Sequence, residues 1–474
     1  MPRRSSKPTL SVVSLGCPKN QVDAECMARS FMGSGCIYTS DPLSSDLVLI
    51  FTCGFIEAAR TESVDTILQY LQLKKERPEL RVIVGGCLFE RYRQDLAKEL
   101  PEVDGWLDSP SPQAVRELVQ RLGFEPGRPR RDGLANGRPF LLNEPGMAYL
   151  NVSEGCDRPC SFCAIPAIKG PMRSRPIAEL AAEARDLATR LRVQELNLVA
   201  QDPASYGKDL GNGNELLDLL TALGEVEEVA WMRLLYMFPF GLREEHLDYL
   251  ASNPRFVPYL DMPLQHSHRE VLQRMCRPGD GGRYLRHLET IRERWPGVAV
   301  RTTFLVGHPG ETEAHFRSLC DFVREARFQW VGVFEYSPEE GTPAFLQQAQ
   351  VSSKVAARRA ERLRELAAEC RDLTPFRLGQ AQQALVVELD EGLAACRTAQ
   401  MAPEVDGYVY VTASPDVGPG RLTRLILEEE TGFDFRGRLA AGGTASVSTR
   451  GPGVVPDKAV GMLRTTGGET LGRA

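Results

Sequence analysis

Three thiols within eight residues, in the run Cys156-Asp157-Arg158-Pro159-Cys160-Ser161-Phe162-Cys163, limit what this chain can become more than any other stretch. A closed tetrahedral zinc site needs four protein ligands, and three thiolates so close together do not supply them. They suit a 4Fe–4S cubane, in which each thiolate holds one iron and the fourth iron stays open to chelate a small ligand. Zinc completed by a distant residue, or reduced thiols packed as small hydrophobes, would equally fit a lone Cys-x-x-Cys. The x3 and x2 spacing, with Phe162 just before the last thiol and a strand-like run upstream, favours the cubane.

At 474 residues the chain is too long for one core, and about three domains are expected. No secretory leader is expected ahead of its twelve cysteines. Met1 to Lys7 is basic, but the apolar run after it is short and has no small-residue cleavage site. A cytoplasmic location is therefore expected, and metal or catalytic use of the thiols outranks a disulfide framework. Cys26, Cys36, Cys276, Cys320, Cys370 and Cys396 match no partner pattern and read as structural. No run of about eighteen apolar residues occurs, so no spanning helix and no membrane partner are expected. A net charge of −6 offers no general pull toward nucleic acid.

Residues 8–125 read as a doubly wound α/β domain. Three β-like runs, 10–17, 47–53 and 82–87, each end in a cysteine: Cys17, Cys53 and Cys87. Helical patterns at 20–32, 57–73 and 90–100 alternate with them. Ligands of such sheets sit beyond the carboxyl ends of the strands. Three thiols separated by 36 and 34 residues would meet at that rim. Gly16, Gly54 and Gly86 would let the backbone approach a bulky inorganic core. One buried cysteine at a strand end is ordinary; three at equivalent points imply a second three-thiolate 4Fe–4S cluster.

Residues 126–146, rich in Pro, Gly and charge, read as a linker. Residues 147–375 carry six strand-like runs with helices between them, too few for a closed eightfold barrel and suited to a partial (βα)6 barrel. Chemistry in such barrels sits in the loops after the strands. The triple-cysteine loop follows the first strand, and other polar or glycine-rich loops contain Gln201, Gln265 with His266, and Gly307-His308-Pro309-Gly310-Glu311-Thr312. His266 and His308 read as hydrogen-bonding groups. Lys169, Arg173 and Arg175 either balance cluster charge, grip a substrate carboxylate, or are simply exposed. The arginines of 352–373 read as the surface of a closing helix. Residues 376–448 change to short strands at 384–389, 407–412, 422–428, 435–438 and 444–448, a small antiparallel barrel. Between 376 and 445 there are 6 Lys and Arg against 10 Asp and Glu, so direct nucleic-acid binding is not expected and a basic protein partner is. Residues 449–474 read as a disordered tail.

Taken together the chain resembles the methylthiotransferase family of radical S-adenosylmethionine enzymes along nearly its whole length. Within that family, Gly16-Cys17-Pro18-Lys19-Asn20, Thr52-Cys53-Gly54-Phe55-Ile56, Gly155-Cys156-Asp157-Arg158-Pro159-Cys160 and Pro403-Glu404-Val405-Asp406-Gly407 are similar to the RimO-like branch. The stretch Gln201-Asp202-Pro203-Ala204-Ser205-Tyr206 departs from the family, whose members commonly have threonines after the aspartate. The resemblance implies an N-terminal cluster domain, a radical barrel and a C-terminal TRAM barrel. It implies two 4Fe–4S clusters, with adenosylmethionine chelated by the Cys156/Cys160/Cys163 cluster, and Gln201, Gln265, Gly307, Gly310 and Glu311 as candidates for contacting it. It also implies methylthiolation of an aspartate of the twelfth small-subunit ribosomal protein, free or in its subunit, with a low-potential donor such as flavodoxin or ferredoxin. A tRNA-modifying (MiaB-like) branch shares every cluster cysteine, and a non-catalytic iron–sulfur or zinc protein is the alternative of another class.

Overall fold

The structure, a computed structural model, describes residues 7–108, 111–124, 137–211 and 215–440. The expected tail, the expected strand at 444–448 and most of the expected linker lie outside these residues. The described chain forms two compact units, the first holding 7–142 with Ala167–Lys169 and the second the remainder. Among the described residues no helix is long and apolar enough to cross a membrane.

The first unit runs β1 (Thr9–Ser14), α1 (Pro18–Gly33), β2 (Ile37–Tyr38), β3 (Leu47–Thr52), α2 (Glu57–Glu76), β4 (Arg81–Gly86), α3 (Cys87–Glu99), β5 (Gly105–Leu107) and α4 (Pro112–Arg121). Its parallel sheet has the order β2-β1-β3-β4-β5, with helices supplying an apolar layer on each face. β3, Leu-Val-Leu-Ile-Phe-Thr, is buried at every position, as a central strand covered on both sides must be. β5 and α4 extend the sheet beyond the three alternations legible in the sequence.

The second unit begins with β6 (Met147–Asn151), β7 (Ser153–Glu154), α5 (Ile165–Lys169, its end in the first unit), β8 (Arg173–Ser174), α6 (Ile177–Arg190), β9 (Glu195–Val199) and α7 (Leu216–Gly224). It continues with β10 (Trp231–Leu234), α8 (Glu244–Ser252), β11 (Phe256–Asp261), α9 (Arg269–Arg274), α10 (Gly281–Arg294), β12 (Ala299–Val306), α11 (Glu313–Ala326), β13 (Trp330–Glu335) and α12 (Ser353–Glu369). The strands pair in parallel in the order β13-β12-β11-β10-β9-β6, an open six-stranded partial barrel. The chain then closes a small barrel from β14 (Ala381–Asp390), β15 (Leu393–Thr398), β16 (Val409–Thr412), β17 (Leu422–Thr431) and β18 (Asp434–Leu439). β15, Leu-Ala-Ala-Cys-Arg-Thr, lacks alternating polarity and was not expected from the sequence; it is nonetheless required to close the barrel between β14 and β16.

Buried ion pairs tie the small barrel to the (βα)6 strands, away from their carboxyl ends. Arg397, fully buried on β15, reaches Glu195 at the start of β9 (2.7 Å) and Glu144 (2.9 Å), and Glu195 also takes Arg233 of β10 (3.0 Å). Two guanidinium groups outweigh the burial of Glu195 and hold its carboxyl below the usual range. Asp406 accepts from Arg301 of β12 (2.7 Å), Tyr259 of β11 (2.6 Å) and the Ala402 backbone (2.8 Å). Asp406 of the Pro403–Gly407 stretch therefore serves as a structural tie.

Candidate functional site

In the first unit the three cysteines follow three neighbouring strands. Thr52 of β3 and Gly86 of β4 are register partners, so Cys53 and Cys87 are the next residues of paired strands. Cys17 follows β1, on the other side of β3, and forms the N-cap of α1. A Cβ at Gly16 would stand 2.9 Å from Cys53 Sγ, and Gly86, at φ +95°, would drive one to 2.5 Å from Thr52 O. These contacts, not loop flexibility, demand the glycines. Asn20, buried one turn into α1, binds all three strand ends. Its Nδ2 donates to Leu15 O (2.6 Å) and Thr52 O (3.2 Å), and its Oδ1 lies 3.8 Å from Cys87 Sγ. Burial raises the Cys53 and Cys87 thiols above their usual range, and Cys17 adds to both. Lys169, 3.0 Å from Glu90 and 3.4 Å from Asp23, is the main charge acting to lower Cys87.

In the second unit Cys156, Cys160 and Cys163 lie on the loop between β7 and α5, at the carboxyl end of β6. Pairing of β7 with β8 closes the segment that carries this loop and α5. Gly155, at φ +75°, sits where a Cβ would run into Pro171 O, and Cys156 N donates to Gly170 O (3.1 Å). Burial raises Cys156 and carries Cys163 to about 12; nearby thiols add to this, and the Arg277 guanidinium opposes it at Cys163. Arg277 Nη1 lies 3.8 Å from Cys160 Sγ. The rings and charges beside this loop are ordered: Arg277 and Arg158 pack over Phe238 at 4.1 and 3.9 Å, and Arg158 pairs with buried Asp202 at 2.6 Å. Among the described residues no three His, Cys, Asp or Glu side chains are close enough to hold a single metal ion. A cubane differs from such a site in placing each thiolate on its own iron.

The other expected positions share this rim. Gln201 follows β9, and its Oε1 is buried without a protein partner. Gln265 takes φ +71°, with its backbone bonded to Thr303 and Leu305 of β12. Gly307 and Gly310, both at φ +82°, would press a Cβ against Ala356 (2.6 Å) and the Arg274 guanidinium (2.8 Å). Glu311 turns back on its own loop, accepting from Gly307 N and pairing with Arg359 (3.3 Å). Burial lifts its carboxyl to about 7 against the pull of Arg359. Arg359 is itself buried and departs from the expected exposed run, whereas Arg358, Arg362 and Arg364 of α12 are exposed as expected. Arg175 pairs with Glu183 (2.6 Å) and is structural. Buried His308 meets Ser161 at 3.3 Å and His266 accepts from His268 N, the hydrogen-bonding roles expected. Arg277 and Phe238 have no signal in the sequence, since a cation 117 residues from Cys160 leaves no local pattern, and Asn20 stands out there only as part of the Gly16–Asn20 run.

Residues 9–108 match the uncharacterized protein family UPF0004, 150–323 the radical SAM superfamily and 378–439 the TRAM domain. The chain is 38% identical to ribosomal protein uS12 methylthiotransferase RimO of Sorangium cellulosum, over 95% of this chain and 94% of that one. It is 40% identical to the protein of the same description from Aquifex aeolicus, over 90% and 96% of the two chains. Among solved structures, the radical S-adenosylmethionine methyltransferase TsrM from Kitasatospora setae superposes with a TM-score of 0.53 at 15% identity, covering 77% of this chain and 90% of that one. That likeness concerns the fold alone.

Proposed function

The chain belongs to the RimO family of ribosomal protein uS12 methylthiotransferases, and from that premise we propose its reaction and the residues that serve it. It is a radical S-adenosylmethionine enzyme that replaces a hydrogen on the β-carbon of an aspartyl residue of uS12 with a methylthio group. That carbon-bound hydrogen lies beyond any side-chain base, whose pKa values end near 12–14. The bond must break homolytically, which is cofactor chemistry. When bound, a 4Fe–4S cluster on Cys156, Cys160 and Cys163 supplies the electron that cleaves S-adenosylmethionine, and a second cluster on Cys17, Cys53 and Cys87 supplies sulfur.

The chain's own residues prepare both places. Gly155 and the β7–β8 pair hold the second-unit thiols on one loop, and Arg277 and Arg158 offset thiolate charge. Gln201 offers an unpartnered buried acceptor to the adenosylmethionine, and Glu311 with Arg359 shapes the Gly307–Gly310 turn beside it. Asn20 gathers the first-unit strand ends. A flavodoxin- or ferredoxin-like donor would deliver the electron, and the work would be done in the cytoplasm, where ribosomal subunits are built. The observation that carries this reading is the placement of each cysteine triad at the carboxyl end of a parallel sheet.

The test is anaerobic incubation of reconstituted protein with uS12, S-adenosylmethionine and a reductant, followed by mass spectrometry. A methylthio mass on one aspartate is expected, together with roughly eight irons per chain. Cys156/Cys160/Cys163→Ala should abolish 5′-deoxyadenosine, whereas Cys17/Cys53/Cys87→Ala should spare it. Modification of tRNA in place of uS12 would refute the assignment.

A further inference from the structure

A cavity of about 450 Å³ opens on the rim of the partial barrel beside the cluster loop, sharing Arg158 and Phe238 with it. Its chemistry is that of an anion site. Arg158, Lys208, Arg243 and Arg283 line it against a single carboxylate, Glu215. Two of these cations are already matched: Arg158 by Asp202, and Arg243 by Glu215 (3.1 Å) and Glu245 (2.6 Å). Lys208 and Arg283 have no carboxylate partner among the described residues. Lys208 Nζ lies 3.4 Å from Ser205 Oγ, and Arg283 packs 4.8 Å over Phe240.

Three helices also start at this cavity: α7 at Leu216, α8 next to Arg243, and α10, with Arg283 in its first turn. Carboxylates already cap or occupy the first turns of these helices, Asp218 on α7, Glu244 and Glu245 on α8 and Asp280 on α10, so the positive potential of the cavity comes from its side-chain cations. A separate observation points to a ligand. His246 lines the cavity and is 3% exposed; its Nδ1 accepts from Arg243 N at 2.9 Å, so the proton sits on Nε2, and Nε2 has no partner. A buried N–H donor without an acceptor is costly unless something else supplies one. Phe240, on the same wall, is held at φ +61°, a strained conformation for a phenylalanine of the sort that collects at ligand sites.

We infer that this cavity receives the side-chain carboxylate of the acceptor aspartyl residue, with Arg283, Lys208 and His246 Nε2–H as its donors. The inference rests on the reaction proposed above and adds to it the grip on the substrate. The carboxylate would lie next to Phe238 and Arg158, which adjoin the thiol loop, so the neighbouring β-carbon is presented to the radical chemistry.

The test uses the full reconstituted protein, purified uS12, and uS12 whose acceptor aspartate is changed to asparagine. Arg283→Gln/Lys208→Gln alters exposed side chains and should raise the KM for uS12 by about tenfold or more. The half-saturating concentration of S-adenosylmethionine should not change. Asparagine at the acceptor should weaken uS12 binding to the unaltered enzyme and cause little further loss with the double variant, because the two changes remove the same contact. Arg324→Gln, on the outer face of α11, is the charge control. A KM for uS12 within twofold of the unaltered enzyme would overturn the inference. So would weakened S-adenosylmethionine binding, which would assign the cavity to that carboxylate. If the unaltered enzyme transfers no methylthio group to uS12, the reaction itself falls and the ligand named here falls with it.

Discussion

Replacing Asp406 with alanine removes the acceptor shared by Arg301, Tyr259 and the Ala402 backbone N–H. Arg301 is 8% exposed, and its next carboxylate, Asp261, is 3.9 Å away. Removing one partner of a buried ion pair costs about 3–5 kcal/mol, and two orphaned neutral donors at about 1 kcal/mol each bring the total to about 5–7 kcal/mol. That is a large share of the roughly 5–15 kcal/mol that holds most proteins folded. The assay is urea denaturation followed by tryptophan fluorescence. Trp330 reports the same junction, since it is 2% exposed and donates from Nε1 to Gln400 O at 2.7 Å. The midpoint should fall by roughly 1.5–3 M urea. Asp406→Leu combined with Arg301→Met removes the charges of this pair and should recover part of the loss, because a buried pair is worth little over an apolar replacement, while Tyr259 OH and the Ala402 N–H stay without their acceptor and Asp261 loses its neighbouring cation. A single-variant shift below about 0.5 M, or a double variant no better than the single one, would refute the reasoning.

Gly155→Ala forces a Cβ against Pro171 O in a left-handed backbone, so cluster absorbance and iron on the second-unit thiols should fall, measured in a Cys17/Cys53/Cys87→Ala background. Glu311 has a folded-state pKa of about 7, above the ordinary 4.5, so the folded state favours its protonated form. Stability should therefore decline as pH rises from about 4.5 to 7, by at most about 3 kcal/mol, and Glu311→Gln should remove that slope in melts compared at pH 5 and pH 8. Because burial holds Cys163 near 12 and also raises Cys53, Cys87 and Cys156, ligation must expel thiol protons. Iron retained against a fixed chelator concentration should increase from pH 6.5 to pH 8.5; a flat profile would contradict thiol ligation.

Where chemistry is carried by neighbours in the chain, the amino-acid order was enough to read it. Cys156, Cys160 and Cys163 share one loop, and Cys17, Cys53 and Cys87 end strands whose apolar character shows in the letters, so parallel pairing brings them to one rim. The resemblance to the RimO-like branch rested on the same contiguous runs. Contacts made across the fold could not be seen there. Arg359 looked like one of several surface arginines until α12 packed it on Glu311, and β15 looked too irregular for a strand until Arg397 met Glu195. Arg283, Lys208 and His246 come from three different βα connections and form an anion pocket only because adjacent parallel strands deliver their loops to the same rim. Propensity and periodicity act over a few residues, whereas burial and charge pairing are settled by which distant segments pack together. Half of this site was therefore written in motifs, and the other half came into being only when the barrel assembled.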